Sequence, residues 1–281
     1  MEKISNRVPA WVLAVTAMLS VQVGASISIS LFDEIGVAGT AWLRMSIAAA
    51  ILVLLHARKL RSLISHPHRT SALKLGLVSC IMTITFLGSL AHIPLGTAVA
   101  IEFLGPLTVA AIHAHNRRAL IWPFIAFGGV LMLTQPWRGE TSLVGVGLAL
   151  IAAVGWALYI VMTHKVGDVF SGLEGLAISI PTAALLLTPF GAPAVFSGFS
   201  SHVIIVGFAA AVLLPLIPWV LELLALRRLS KHVFGTLMAL EPAIALVVGL
   251  ILLSQLPEIS SLIGIAAVVL AGIGAERTSP N

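Results

Sequence analysis

The chain has a single cysteine, Cys80, and only 10 % of its residues are charged. A lone cysteine excludes an intrachain disulfide and a cysteine metal site. A soluble domain carries about 25 % charged residues, so so little charge excludes one and places the chain in a membrane. No Walker sequence, Gly-rich phosphate loop or nucleophile motif is present. The histidines form no ligand set: His66-Pro67-His68 reads as a loop, and His113 and His115 are two apart and point to different helix faces. Neither a metal nor a cofactor is expected.

What is present is apolar. The 281 residues are 59 % hydrophobic, with a mean hydropathy of +1.08. At about 20 residues per span plus short loops, that length fits roughly ten membrane helices. Hydropathy and breakers place them near 9–31, 37–57, 72–91, 95–114, 119–136, 143–163, 172–190, 202–224, 232–252 and 259–275. The seventh span contains Pro181 and Pro189, and 191–201 reads as an interfacial loop. The first apolar run, Val8 to Leu31, exceeds the roughly 7–15 residue core of a signal peptide, so it reads as a retained span.

The formal net charge is +5. In a soluble chain this would point to nucleic acid. Here the basic residues lie in short loops, where they set orientation instead, and no nucleic-acid partner is expected. With a cytoplasmic N-terminus, 14 of the 16 Lys and Arg residues fall on the cytoplasmic side, Arg138 falls outside and Arg44 lies within a span. Both termini are then cytoplasmic. Five spans precede residue 140 and five follow. An odd count per half forces the second half, 140–281, to enter the membrane inverted relative to the first, 1–139.

One short stretch occurs twice. Gly96-Thr97-Ala98-Val99-Ala100-Ile101-Glu102, with Pro106 four residues on, matches Gly235-Thr236-Leu237-Met238-Ala239-Leu240-Glu241, with Pro242 next. A carboxylate facing lipid costs about 2.5–3.5 kcal/mol even on lenient scales. Two of them in matching spans suggest a paired site in an internal cavity. Glu102 and Glu241 could bind a substrate ammonium or carry protons; the plainer alternative is a structural hydrogen bond at a proline-broken helix. Arg44 could take a carboxylate, neutralise a Glu, or snorkel to the interface. Two carboxylates and a guanidinium would together suit a zwitterion. Gln22, Thr97, Thr236, Thr83, Thr85 and Ser26 are plausible polar contacts, against ordinary interhelical bonds of about 0.6 kcal/mol each. Trp156 and Tyr159 could line and gate the cavity. Glu222 reads as a partner of Arg227 and Arg228, and Trp11, Trp42, Trp122 and Trp137 as interface anchors. Glycines such as Gly128, Gly129 and Gly264 read as close helix packing.

Ten spans in two inverted halves, Arg44 in the second span and Glu with Pro in the fourth and ninth resemble the drug/metabolite transporter superfamily, EamA type. Ile93 to Pro106, Phe234 to Ala243 and Gln22-Val23-Gly24-Ala25-Ser26 are similar, within it, to the bacterial threonine/homoserine exporters. Members often carry Asn and Tyr in the third span, where Thr83 and Leu87 stand here. The resemblance implies an all-α inner-membrane exporter of small zwitterionic amino acids, driven by antiport of protons through alternating access. A monomer embedded in lipid is expected, since both halves are in one chain. With no ATPase domain, uphill export would draw on a gradient. Export of another metabolite or drug by the same fold is the main alternative. A lipid-acting membrane enzyme would need an interfacial nucleophile or metal cluster, and a passive channel would not saturate.

Overall fold

The computed structural model describes residues 8–113, 121–135, 138–139, 141–171, 173–226, 228–229 and 231–278. His115, Trp137, Glu140 and the basic residues Lys3, Arg7, Arg117, Arg118 and Arg227 lie outside the described residues. All regular elements among them are helical. The first half holds α1 (Ala10–Ile29), α2 (Phe32–Leu55), the short α3 (Leu60–Ile64), α4 (Arg69–Leu90), α5 (Leu95–Glu102), α6 (Leu104–His113) and α7 (Ile121–Thr134). The second holds α8 (Leu143–Gly167), α9 (Leu176–Ser197), α10 (Ser201–Ala211), α11 (Ile217–Leu226), α12 (Lys231–Met238), α13 (Glu241–Leu253) and α14 (Ile259–Thr278).

Among the described residues, eight stretches are long and apolar enough to cross a membrane, with α5–α6, α10–α11 and α12–α13 each counting as one. Two shorter apolar helices, Ile121–Thr134 and Ile259–Ala275, stand where the fifth and tenth spans are expected. At about 1.5 Å per residue, α7 alone falls short of the roughly 30 Å hydrocarbon core.

Three of the interrupted spans break where a proline dictates. A proline ring collides with the carbonyl four residues earlier and offers no N–H to it. Pro106 acts on Glu102, and α5 ends at Glu102. Pro242 acts on Met238, and α12 ends at Met238. Pro215 acts on Ala211, where α10 gives way to the irregular Val212–Leu216 turn. Ser20 Oγ donates to the carbonyl of Leu213 in that turn at 2.8 Å. The same proline offset therefore puts Glu102 before its break and Glu241 after it, although the two motifs have identical spacing.

The seventh span departs from expectation. Residues 191–197 form no loop: α9 runs through Pro181, Pro189 and Pro193 to Ser197. Packing carries it past them, as neighbouring helices can for prolines within a bilayer. It lies against α2 and α4. A side chain on Gly191 would strike the Ala38 carbonyl and Trp42, and Trp42 Nε1 donates to Thr188 Oγ1 at 3.0 Å. Trp42 thus ties two helices together rather than serving only as an interface anchor.

Helix neighbours follow a pattern. α1 packs on α11, α2 on α9, α4 on α8, α5 on α13 and α7 on α14. At one end of the bundle, Lys59 donates to Glu174 at 2.7 Å across the α2–α3 and α8–α9 connections. That bond, with a second from Ser171, holds the Glu174 carboxyl down to about 2. A carboxyl held low contributes stability above its ordinary range and loses it as pH falls toward the lowered value. A Lys59→Ala/Glu174→Gln double-mutant cycle on melting temperature should show coupling near about pH 6 that shrinks progressively by about pH 3.

Candidate functional site

Both motif carboxyls are buried, Glu102 to 8 % exposure and Glu241 to 4 %. Their helices α5 and α13 pack on each other, and the two groups lie within electrostatic reach of one another. Gln22, on α1, is 1 % exposed and donates Nε2 to Glu241 Oε1 at 3.1 Å. The remaining oxygens of this pair, Gln22 Oε1 and Glu241 Oε2, are buried and accept no hydrogen bond among the described residues. A buried acceptor without a donor costs about 1–3 kcal/mol, more for a charged group. Two such acceptors beside a second carboxyl are arranged for a cation with several N–H donors, or for protons.

A third carboxyl lies near this centre. Glu222, on α11, lies within electrostatic reach of Glu241 and of Tyr159 on α8, which also sits beside Thr163 and Trp219. Its proximity in sequence to Arg227 and Arg228 points to those residues as partners, of which Arg227 lies outside the described residues. The available signal was a charge at the end of an otherwise apolar stretch, Ser201–Glu222, since buried charge in a membrane segment is commonly functional.

The other expected residues divide. Trp156 packs edge-on against Phe103, the residue at the α5–α6 break, with ring centres 6.3 Å apart and planes at 72°. Trp156 and Tyr159, three residues apart on α8, thus meet Phe103 and the neighbourhood of Glu222 respectively. Thr236 lies half-buried on α12, and Thr83 is buried on α4. Arg44 is 2 % exposed and donates Nη1 to Ser28 Oγ at 3.1 Å. No described carboxylate lies within ion-pair distance of it, and its Nε is buried without a partner. Ser28 is six residues beyond Gln22 on α1, about 9 Å along the axis. Thr97, five residues before Glu102, lies about 7.5 Å from it along α5 and lines a separate cavity. Among the described residues no group of three or more His, Cys, Asp and Glu is placed to hold a metal ion.

The model of the EamA-like transporter family matches residues 143–274. The chain is 34 % identical over 279 residues to the "Threonine/homoserine exporter RhtA" of Escherichia coli strain K12, covering 97 % of this chain and 94 % of that one. It is 33 % identical over 280 residues to the protein of the same name from Salmonella typhimurium strain LT2, covering 98 % and 94 %. A solved crystal structure, 16 % identical, superposes with a TM-score of 0.62 over 95 % of this chain and 96 % of its own. At that identity the likeness shows the fold alone.

Proposed function

The chain belongs to the EamA-like transporter family, and from this we propose that it exports small amino acids, threonine and homoserine among them, by proton antiport through alternating access. It is a transporter rather than an enzyme, as its named relatives are, and a multi-pass protein of the bacterial inner membrane.

One observation carries the substrate reading. Gln22 Oε1 and Glu241 Oε2 are buried acceptors without donors among the described residues, within electrostatic reach of Glu102. An ammonium brings three N–H donors and a positive charge to that spot. A proton arriving at Glu241 would remove the charge that holds the ammonium, which couples proton entry to substrate release. Arg44, buried with no described carboxylate in ion-pair range, supplies a positive pole nearer one end of the bundle. It can meet the substrate carboxylate at another stage of the cycle.

The wider reading is ten spans in two inverted halves, 1–139 and 140–281, with both termini cytoplasmic and the chain acting as a monomer. Exchanging span k with span k+5 turns the observed neighbours α1 on α11 into α8 on α4 and leaves α2 on α9, α5 on α13 and α7 on α14 as they are. That pattern supports a two-fold axis in the membrane plane, and the family match over 143–274 coincides with the proposed second half.

The test is uptake of labelled threonine into inside-out vesicles with and without an imposed proton gradient. Saturable accumulation that the gradient drives, and that unlabelled homoserine displaces, is the expected result. Saturable exchange indifferent to the gradient would remove the proton coupling. Absence of threonine and homoserine flux would remove the substrate.

A further inference from the structure

Away from the carboxyl centre, the α4–α5, α7–α8 and α13–α14 connections meet around a cavity of about 220 Å³ lined by Thr97, Gln135, Arg138, Gln255, Glu258 and Ser261. Its floor is the start of α5. Pro94 provides no side-chain cap there. Gln255 Oε1 accepts from Leu95 N at 3.0 Å, and the first backbone bond of the helix runs from Ala98 N to Pro94 O at 2.9 Å. The amides of Gly96 and Thr97 therefore precede the helical ladder and carry the positive end of its dipole. Thr97 is 6 % exposed, and its hydroxyl makes no hydrogen bond to any described group although it lines the cavity. At the mouth, Arg138 and Glu258 face each other at 3.4 Å with more than half of each side chain exposed. Gln135 holds Glu258 in place, donating Nε2 to Oε2 at 3.1 Å.

We propose that this cavity is an outer-face subsite for a small zwitterion, occupied as the amino acid leaves the carboxyl centre. The proposal rests on the amino-acid reading above. Donors and acceptors of opposite sign line one small space, with Glu258 Oε1 outside the bonds that Arg138 and Gln135 make to Oε2. The Gly96 and Thr97 amides, the Thr97 hydroxyl and Arg138 present donors to a carboxylate, and Glu258 presents an acceptor to an ammonium. Pockets for drug-sized ligands measure roughly 300–1,000 Å³, so a cavity of about 220 Å³ suits a smaller solute. Thr97 and Glu102 share helix α5, about 7.5 Å apart along it, which joins this subsite to the carboxyl centre. The three connections around it are outer ones in the proposed orientation.

The experiment is threonine counterflow through the purified full chain in liposomes of known orientation, with the concentration varied on one face at a time. Thr97→Val, Arg138→Gln and Glu258→Gln are each expected to raise the outer-face half-saturation about tenfold, in line with a lost charge-assisted or polar contact. Inner-face half-saturation should stay within about twofold of wild type. The double variant Arg138→Glu plus Glu258→Arg keeps the ion pair but reverses its poles, so it should stay as weak as the single variants. Restoration by that swap, equal shifts on both faces, a shift on the inner face alone, or unchanged single variants would each overturn the subsite. Wild-type protein that exchanges neither threonine nor homoserine would overturn the amino-acid reading and the subsite with it. Normal wild-type exchange with unchanged variants would overturn the subsite only.

Discussion

Glu241→Gln is expected to abolish gradient-driven accumulation of threonine while leaving the protein folded. The amide oxygen of Gln can still accept from Gln22 Nε2, which now bonds Glu241 Oε1 at 3.1 Å, so the local geometry survives. What disappears is the negative charge and the ability to take up a proton. A hydrogen bond to a charged group is worth about 1.5–3 kcal/mol, or roughly 10–100-fold in affinity, and loss of the titrating group removes coupling altogether. Glu102→Gln and Glu222→Gln test the same centre from its two sides. Glu241 interacts electrostatically with both Glu102 and Glu222, so paired effects should not add: the Glu102/Glu241 double variant should lose less than the product of the single losses. Labelled-threonine accumulation in vesicles, alongside melting curves of each purified variant, separates this from unfolding. Wild-type accumulation by folded Glu241→Gln would exclude the carboxyl from the mechanism.

Gly129→Leu and Gly128→Leu, adjacent on α7, are expected to behave in opposite ways. A Cβ at 129 would sit 2.6 Å from the Gly264 carbonyl of α14 and 3.1 Å from Ala267 Cβ, whereas one at 128 meets nothing within 4 Å. The obstacle at 129 is backbone and cannot rotate away, so the helices must separate. Overpacking typically costs about 1–3 kcal/mol, and this substitution belongs at the upper end, near about 3 kcal/mol. At 128, exchanging Gly for Leu adds helix propensity of up to about 1 kcal/mol, and its Cβ meets nothing within 4 Å. Melting of the two variants in the same detergent decides: a markedly lower midpoint for Gly129→Leu and an unchanged or higher one for Gly128→Leu. Equal midpoints would mean α7 and α14 do not cross at this point.

Much of this was legible along the chain because its causes are local. Scarce charge and long apolar runs place helices in a membrane whatever their neighbours. A proline breaks the ladder four residues back, which is why Pro106, Pro215 and Pro242 locate three interruptions. A buried carboxylate is costly enough to announce itself, as Glu102 and Glu241 did. Pro181, Pro189 and Pro193 obey the same local rule yet leave α9 intact to Ser197, held against α2 and α4 by close packing.

Facing is another matter. These helices are apolar on nearly every side, so a 3.6-residue period carries little information about which side chains meet. Packing alone brought Glu222 within electrostatic reach of Glu241, turned Thr97 toward a separate cavity, and left Arg44 on Ser28 rather than on a described carboxylate. Hydropathy and backbone sterics act residue by residue and survive in a one-dimensional reading. The rotation of each helix about its axis is chosen by close packing among residues far apart in the chain, and with it the composition of the site.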